Sequence, residues 1–271
     1  MAGLRVGLAG MEPGHYGCDE FRFMTSLYEK CDFHVHTRFS PCASPDMRVS
    51  SILETCAGRG IKYLGITDHV AAETDTRFLA EARRELASID GPVRVFLGCE
   101  ADVLGVGRHV VTEEMRETLD FVCVSANHFH TRSVAQPENG SPETLGRHFL
   151  DMFAYACSLD FADFVAHPLM VFPGTFDPRF LDLIEDDDVV PALKSAKRNN
   201  IAMEISPRAL DREQLYFRMR FLFQCKEMGL KFAVGSDAHR LELVGQTRLI
   251  APIVRELQLE DEDIWLPRGA D

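Results

Sequence analysis

The sequence lacks the features that mark membrane-bound and secreted proteins. It has no run of about 18 consecutive apolar residues, the length that a membrane-spanning helix needs. Residues 1–10 do not show the charged-then-apolar order of a signal peptide. The eight cysteines include no Cys-x-x-Cys spacing, so neither a disulfide framework nor a thiolate zinc knuckle is expected. We therefore expect a soluble, cytoplasmic protein without membrane contacts, whose cysteines are mostly reduced.

The sequence also lacks an excess of positive charge. It has 29 Lys and Arg against 42 Asp and Glu, a formal net charge of −13. This balance argues against a protein that binds nucleic acid by neutralising phosphates. No composition break and no linker rich in Gly, Ser or Pro divides the 271 residues. We expect one α/β domain at 31–271, preceded by an N-terminal extension, 1–30, to which we assign no role.

Short apolar runs alternate with helical patterns from residue 31 onward. Runs rich in Val, Ile and Phe predict seven strands, and apolar residues at three- and four-residue spacing predict five helices. Gly60 and Gly229 stand where helix C-caps are expected. The segment 102–119 breaks the alternation and predicts a loop or small hairpin followed by a short helix, 112–119. The predicted strands are 31–35, 62–66, 93–99, 120–125, 163–166, 201–205 and 231–235, and the predicted helices are 47–59, 76–89, 142–159, 179–199 with a break at Pro191, and 211–228.

The alternation of strands and helices predicts a barrel. Strands that are separated by helical crossovers lie parallel, and seven of them can close into a barrel related to the eight-stranded one. In such barrels, ligands and catalytic groups gather at the C-terminal ends of the strands. Six of the seven predicted strands end in a histidine or an acid, and the remaining one contains Glu204 and is followed by Arg208. The sequence therefore predicts a site at one end of a barrel.

The strand ends carry side chains that bind metal ions. His34 and His36 are two residues apart on a predicted strand, so they point the same way and can grip one cation. Imidazoles and carboxylates suit zinc, manganese and iron, and one tetrahedral zinc uses only four ligands. We predict two or three divalent metal ions, because the same end also receives His69, Glu100, His128, His167, Asp237 and His239.

Taken together, these motifs resemble those of the polymerase and histidinol phosphatase (PHP) family. The family pattern opens with Asp-x-His-x-His-Thr, here Asp32-Phe33-His34-Val35-His36-Thr37, and closes with Gly-Ser-Asp-x-His, here Gly235-Ser236-Asp237-Ala238-His239. Between them stand Thr67-Asp68-His69, Gly98-Cys99-Glu100 and two separated histidines. The resemblance covers residues 32–239 and implies a distorted (β/α)7 TIM-like barrel, with a trinuclear metal centre that hydrolyses phosphate esters.

By position, the resemblance also implies a ligand set. Where the family commonly has His or Asp, this sequence has Cys42, which is either a thiolate ligand of a third ion or a bystander. Either His128 or His130 can be the ligand after the fourth predicted strand, and we prefer His128. The implied ligands are His34, His36, Glu100 and Asp237 for one ion, Glu100, His128 and His167 for a second, and His69, His239 and Cys42 for a third.

The expected metal centre and the strand-end positions predict catalytic and substrate-binding roles. Hydroxide held between two ions that share Glu100 is the expected nucleophile. Glu100 and Asp237 are expected to be catalytic through the ions that they hold, and His130 to contact the substrate or protonate the leaving group. Phosphate that is not neutralised by metal needs cationic donors, for which we predict Arg208, Arg240 and Arg132.

Three further features have predicted positions relative to the site. Asp68 directly precedes His69 and is expected either to orient a ligand imidazole or to cap a helix. The segment 131–142 predicts an exposed loop that acts as a lid. The remaining histidines, His15, His109 and His148, match no motif and are expected to have no part in the chemistry.

The leading hypothesis is a metal-dependent phosphoesterase that acts on a small phosphorylated metabolite. Histidinol phosphate is a serious candidate because the chain is similar in size to the family's histidinol phosphatases, and nucleotides or other sugar phosphates fit as well. Two hypotheses from other classes remain: a metal-binding module without turnover, and a metal-dependent amidohydrolase of the related barrel type. An amidohydrolase usually carries a lysine at a strand end, and no lysine stands at a suitable one here.

Overall fold

Ten β-strands form the framework of residues 27–270, the part of the chain that the structure, a computed structural model, describes. All seven predicted strands are found, with ends that differ by a few residues. A short 3-10 helix, Leu27–Lys30, leads into the first of them. The strands are β1 (Cys31–Val35), β2 (Tyr63–Ile66), β3 (His69–Val70), β4 (Arg94–Leu97), β5 (Glu100–Gly105), β6 (Arg108–His109), β7 (Cys123–Ser125), β8 (Phe164–Val165), β9 (Ala202–Ile205) and β10 (Phe232–Val234).

Helices follow most of the strands and pack their apolar faces on the sheet. Gly60 ends the first helix with φ 79°, and Gly229 follows the sixth helix with φ 67°, so both glycines adopt the left-handed conformation expected of C-cap residues. Thr112 accepts a hydrogen bond from Met115 N at 3.3 Å and starts the short helix. The α-helices of the described residues are α1 (Val49–Arg59), α2 (Arg77–Ala87), α3 (Glu113–Thr118), α4 (Pro142–Ala156), α5 (Asp186–Asn199), α6 (Leu215–Glu227) and α7 (Ala251–Glu256).

The strands are parallel except at one hairpin. One sheet has the order β1-β2-β4 and the other β10-β9-β8-β7-β5-β3, with β6 antiparallel to β5. The two sheets are continuous along the chain, because β2 resumes as β3 after two residues and β4 resumes as β5 after two residues. Hydrogen bonds from Gly98 N to Ile66 O (2.8 Å) and from Glu100 N to Asp68 O (3.1 Å) keep these two chains side by side across the breaks.

A single bridge joins the first strand to the last. His36 N donates to Ala238 O at 3.0 Å, and Ala238 N donates to His34 O at 3.3 Å. The neighbour order therefore runs around a ring in which β1 meets the chain that follows β10. The α/β class and the distorted (β/α)7 barrel predicted from the sequence are confirmed.

Aromatic rings fill the barrel at the end away from the predicted site. Trp265 packs edge-on against Phe33, Phe121 and Phe164, with ring centroids 5.2, 5.5 and 5.3 Å away. Phe121 fits because Gly98 faces it: a Cβ at residue 98 would lie 2.5 Å from the Phe121 ring. These rings fill the barrel interior at the end away from the predicted site. The interior therefore opens at the C-terminal ends of the strands, which form the mouth of the barrel.

The break predicted at Pro191 in the helix 179–199 is wrong. The predicted helix divides into a 3-10 helix, Pro178–Leu183, and α5, and Pro191 lies inside α5 without breaking it. The division falls before Asp186 because Glu185 N donates to the Asp188 carboxylate at 2.8 Å, which starts a new helix there. Pro191 is tolerated in the second turn of α5, where it removes one hydrogen bond.

Three remaining expectations concern the edges of the fold. The hairpin and short helix predicted for 102–119 are found as β5, β6 and α3. The N-terminal extension, 1–30, lies outside the described residues except for Leu27–Lys30. None of the helices described between residues 27 and 270 has the length and apolar character to cross a bilayer.

Candidate metal centre

The structure brings all nine predicted metal ligands to the mouth of the barrel. His34 and His36 lie at the end of β1, His69 and Glu100 begin the resumed strands β3 and β5, and the others follow strand ends. Parallel strands present their C-terminal ends at one edge, so residues far apart in sequence meet there. The ligands that follow strand ends are His128 after β7, His167 after β8, and Asp237 and His239 after β10, while Cys42 lies in the loop after β1.

The Glu100 carboxylate lies at the centre of the cluster. Its Oε1 is 2.7 Å from His167 Nε2 and 3.2 Å from His128 Nε2. The side chain is fully buried. One oxygen of Glu100 therefore faces the pair of histidines that the sequence assigns to a second ion.

The other oxygen of Glu100 faces a different set of imidazoles. Oε2 lies 2.9 Å from His69 Nδ1, 3.4 Å from His34 Nε2 and 3.6 Å from His36 Nε2. Among residues 27–270, it has no hydrogen-bond partner. A buried carboxylate oxygen without a hydrogen bond, surrounded by ring nitrogens, is what a bridging metal ligand requires.

Four overlapping triads have the spacing of metal ligands. In each triad, the ligand atoms of the three residues lie within 4.8 Å of one another. Glu100 belongs to two of the triads. The triads are His36, His69 and His239; His34, Glu100 and His167; His34, His36 and Asp237; and His69, Glu100 and His128.

Two of the ligand histidines are hydrogen-bonded to carboxylates through Nδ1, on the side of the ring that faces away from the centre. His34 Nδ1 lies 2.7 Å from Glu204 Oε1, and His128 Nδ1 lies 2.7 Å from Asp102 Oδ1. A carboxylate accepts a hydrogen bond, so Nδ1 of each ring carries a proton, and Nε2, which is turned toward the centre, is the nitrogen that can bind a metal ion once it has lost its own proton. Sequence reasoning gave neither acid this role, because each comes from a strand other than that of its histidine.

Neutral groups hold two more of the ligand histidines. Ser40 Oγ donates to Asp68 Oδ1 at 2.7 Å, so it accepts at 3.1 Å from His36 Nδ1. His167 Nδ1 lies 3.0 Å from the Asn127 side-chain oxygen. Both rings again turn Nε2 inward, and this donor set fits divalent metal ions.

Asp68 accepts a hydrogen bond from Ser40, which in turn contacts the ligand His36, and it does not cap a helix. Its Oδ1 accepts from Thr37 N at 2.7 Å, and its Oδ2 accepts from Thr37 Oγ1 at 2.7 Å. The His69 backbone N donates to Ser40 Oγ at 3.1 Å. Of the two predicted roles for Asp68, orientation of a ligand imidazole therefore agrees with the contacts.

A tight turn presents His167 to the centre. His167 has φ 30° and Leu169 has φ 55°, which are left-handed values that residues other than glycine rarely adopt. Three buried side chains, Asn127, Gln214 and Arg218, hold the turn. Their bonds run from Asn127 Nδ2 to His167 O (3.1 Å) and Met170 O (2.7 Å), from Gln214 Nε2 to Val171 O (2.8 Å), and from Arg218 Nη1 to Pro168 O (2.9 Å).

The charge of Glu100 controls protonation of the neighbouring imidazoles. Burial alone would lower the pKa of His128 and His69, but the Glu100 carboxylate outweighs burial and raises the pKa of His128 to about 9 and of His69 to about 11. Burial, together with the neighbouring His69, lowers the pKa of His36. In the metal-free protein, protons on His128 and His69 therefore offset the negative charge of Glu100 that metal ions would otherwise offset.

Cys42 lies against two of the ligand histidines. Partial burial raises the pKa of its thiol, but hydrogen bonds from His239 and His69 outweigh burial and lower that pKa to about 6. The thiol lines the mouth of the site. Cys42 lines the same pocket as His69 and His239 but belongs to none of the four triads, and whether it binds metal stays a prediction.

A pocket of about 310 Å³ opens above the cluster. The ligand side chains form its floor, and His130, Phe172 and Arg208 form part of its walls. The Phe172 ring centroid lies 5.0 Å from that of His167 and 5.6 Å from that of His130. A larger cavity of about 800 Å³ lies beside Trp265 at the other end of the barrel, away from the predicted ligands, so the smaller pocket is the candidate substrate site.

The structure places only one of the three predicted arginines at the pocket. Arg208 Nε lies 2.8 Å from Asp237 Oδ2. Arg132 and Arg240 are exposed, and neither lines this pocket in the described part of the chain. Their substrate-binding roles stay predictions. A strand-end position brought Arg208 to the pocket and left Arg240 outside it, which shows that position alone does not fix side-chain direction.

A parallel barrel whose strand ends gather six imidazoles around two carboxylates defines a metal-dependent hydrolase of the barrel type. Comparison with known proteins gives the family. Residues 32–208, more than half of the chain, match the PHP domain. The chain belongs to the PHP domain family.

Two curated relatives share sequence with most of the chain. DNA polymerase/3'-5' exonuclease PolX of Bacillus subtilis is 23% identical over 250 residues, which cover 89% of this chain and 39% of that protein. A probable phosphatase of Photobacterium profundum is 26% identical over 242 residues, covering 86% of this chain and 87% of the relative. The chain thus spans well under half of the first relative and most of the second.

A solved structure supports the same fold. Histidinol phosphate phosphatase from Lactococcus lactis subsp. lactis, complexed with zinc, L-histidinol and phosphate, is similar with a TM-score of 0.58. The identity is 14%, and the match covers 86% of this chain and 95% of that chain.

Proposed function

We propose that the protein is a metal-dependent phosphatase that hydrolyses a small phosphomonoester. The observation that carries the proposal is the position of Glu100, whose two oxygens face two different sets of imidazoles. Such a carboxylate can bridge two ions, and paired ions are suited to displacement at phosphorus. Membership in the PHP domain family and the phosphatase relative support the same activity.

Two or three divalent ions, zinc, manganese or iron, would be held by this chain. His34, His36 and Asp237 would hold the first together with Glu100, which would also serve the second with His128 and His167. Bound ions would supply Lewis acidity, which lowers the pKa of water and offsets the charge of the phosphate. Glu100 and Asp237 are thereby proposed as catalytic residues.

Cys42, with His69 and His239, is proposed to hold the third ion. The thiol lines the same pocket as both imidazoles, and the lowered pKa of Cys42 favours the thiolate, the form that binds zinc. A thiolate at this position selects zinc over manganese, because sulfur is a soft ligand.

Arg208 is proposed to bind a phosphate oxygen. Its Nε is occupied by Asp237, and a guanidinium has further N–H donors for an anion in the pocket. The side chain is 41% exposed, at the open side of the site. In this role, Arg208 binds Asp237 through Nε and the phosphate through its other N–H groups, and so sets the position of the phosphate relative to Asp237.

His130 and Phe172 are proposed to face the leaving group. His130 is exposed and lines the pocket, with its ring centroid 5.1 Å from that of His128. Burial and the neighbouring His128 lower the pKa of His130, so a neutral ring that hydrogen-bonds the substrate is favoured over one that protonates the leaving oxygen. Phe172 offers an apolar wall that excludes water from one side of the pocket.

The substrate class that we propose is a small phosphorylated metabolite, with histidinol phosphate as the first candidate. A pocket of about 310 Å³ suits a compact ligand. The Lactococcus phosphatase, which shares the fold, is complexed with L-histidinol and phosphate. Nucleoside monophosphates and other sugar phosphates remain members of the class to be tested.

The test is phosphate release by the full chain after its metal has been stripped and zinc or manganese restored. The panel contains an aryl phosphate, histidinol phosphate, nucleoside monophosphates, an aryl phosphodiester and an aryl amide. We expect metal-dependent release of inorganic phosphate from monoesters, and the preferred monoester identifies the substrate. Hydrolysis of the diester or amide alone, or no turnover with metal bound, would overturn the proposal.

A further inference from the structure

We infer that Glu204, which is not a predicted ligand, is a positioning residue that joins two ligand histidines, His34 and His167, and fixes which nitrogen of His34 faces the metal. The inference rests on the proposed metal centre. It goes beyond that centre by assigning a function to a buried acid on β9.

Each oxygen of Glu204 accepts a hydrogen bond from a different histidine. Oε1 lies 2.7 Å from His34 Nδ1, and Oε2 accepts from the backbone N of His167 at 2.5 Å. The side chain is fully buried, so water cannot replace either bond. The carboxylate therefore connects the end of β1 to the turn after β8, two places that no strand pairing joins directly.

The hydrogen bond between Glu204 and His34 decides which nitrogen of this ligand ring faces the metal. Because a carboxylate offers only lone pairs, it holds a proton of His34 on Nδ1 and makes Nε2 the ring nitrogen that can bind metal. Nε2 points toward the centre, 3.4 Å from Glu100 Oε2 and 3.7 Å from Asp237 Oδ1. A proton on Nε2 would block the ring from binding metal.

The His167 bond decides the place of a second ligand. His167 has φ 30°, a backbone conformation that is rare for residues other than glycine and that needs fixed partners. Its N–H points at Glu204, while its ring reaches Glu100 Oε1 at 2.7 Å. Loss of the N–H bond would remove the hydrogen bond that fixes the backbone of His167 itself, while Asn127, Gln214 and Arg218 would still bind carbonyl oxygens of the turn.

Gly235 shows that the chain makes room for the Glu204–His34 pair. A Cβ at residue 235 would lie 2.5 Å from Glu204 Oε1 and 2.5 Å from His34 Cβ. Only glycine leaves space for both side chains on this strand end. The close packing argues that the pair is held in one geometry.

The test is zinc affinity of the Glu204→Gln variant in the full chain. Glutamine has one acceptor oxygen for the two N–H donors and turns its NH2 group toward the other, so one bond is lost. We expect zinc affinity to fall about 10- to 100-fold, measured by competition with a chromophoric chelator on metal-stripped protein. Far-UV circular dichroism is expected to stay unchanged.

Asp163→Asn is the matched control. Asp163 is a partly buried acid just before β8, at the other end of the barrel, where it accepts from Val122 N at 2.8 Å. Its substitution removes a carboxylate from the same sheet without touching a ligand, so zinc affinity is expected to stay at the wild-type value. Equal loss of zinc affinity in both variants would mean that general destabilisation, and not positioning, explains Glu204.

A second measurement needs no variant. Nitrogen-15 NMR of the zinc-loaded wild-type protein reports the tautomer of each imidazole, and we expect His34 to carry its proton on Nδ1 with Nε2 bound to zinc. A His34 ring bound through Nδ1, or a Glu204→Gln variant with wild-type zinc affinity and stoichiometry, would overturn the inference. Zinc binding with the expected tautomer but without phosphate release would instead overturn the proposed function alone.

Discussion

Arg208 Nε lies 2.8 Å from Oδ2 of Asp237, so a cation of the pocket wall is tied to a predicted metal ligand. The other oxygen of Asp237 lies 3.4 Å from His36 Nε2. Although burial favours the neutral acid, His34, His36 and Arg208 hold the pKa of the Asp237 carboxyl well below its usual range. The same carboxylate thus faces the candidate metal centre on one side and, on the other, the arginine that we propose to bind phosphate.

Replacing Arg208 is expected to weaken substrate binding more than metal binding. Arg208→Met removes a charge-assisted hydrogen bond worth about 1.5–3 kcal/mol, so KM for the phosphomonoester should rise about 10- to 100-fold. Steady-state kinetics and inhibition by inorganic phosphate check this result. Arg116→Met, on α3 at the other end of the barrel, is the control and should leave KM unchanged. An unchanged KM in Arg208→Met would remove Arg208 from the substrate site.

Metal binding is expected to release protons. Burial lowers the pKa of His128 and His69, but Glu100 outweighs burial and raises these values to about 9 and about 11. In the metal-free chain at pH 7, both rings are therefore imidazolium cations with a proton on each nitrogen. A cation must displace those protons, and its affinity should therefore increase as pH rises toward 9. Calorimetry of zinc binding in buffers of different ionisation enthalpy measures the proton count. Zinc binding without proton release would contradict this assignment of charge.

Cys42 is expected to bind the third ion through sulfur. Cobalt-loaded wild-type protein should show thiolate-to-metal absorption in the near ultraviolet, and Cys42→Ser should lose both this band and one bound ion. Cys42→Asp should lose the band but keep the ion, because a carboxylate can take the same place. Absence of the band from the wild-type protein, with three ions bound, would make Cys42 a bystander.

Packing around Phe121 is expected to make Gly98 intolerant of substitution. A Cβ at residue 98 would lie 2.5 Å from the Phe121 ring, so Gly98→Ala should lower the free energy of unfolding by about 1–3 kcal/mol. Gly58 is the control, because a Cβ placed there has no neighbour within 4 Å among residues 27–270 other than its chain neighbours and the backbone of its own helix. Gly58→Ala in α1 should raise the free energy by up to about 1 kcal/mol. Urea denaturation measures both, and equal effects would contradict the packing described for the barrel interior.

Much of the fold follows from local patterns. The strand 31–35 carries Phe33 and Val35 in a short apolar run, and the structure has it at the predicted bounds. The breaks between β2 and β3 and between β4 and β5 could not be predicted, since they depend on hydrogen bonds such as Gly98 N to Ile66 O. Trp265 lies beyond the last predicted strand, and its place inside the barrel depends on contacts with Phe33 and Phe164 that no periodicity shows.

The candidate ligands follow from sequence because strand ends meet at one edge whatever the details of packing. Residues that hold those ligands do not follow, since Asp102 and Glu204 act on histidines of other strands. Recognising them requires the register between strands. A buried acid within a predicted strand, such as Glu204 in 201–205, was the available signal, because an unpaired buried carboxylate is costly.

The central claim is that Glu100 holds the metal ions with which this chain hydrolyses phosphomonoesters. The most direct measurement determines bound metal and released phosphate in the same samples of wild-type protein and Glu100→Ala, after stripping and reloading with zinc or manganese. The account predicts at least two ions and metal-dependent phosphate release for the wild type, and loss of both metal and turnover for Glu100→Ala. Full metal content and full activity in Glu100→Ala would contradict it.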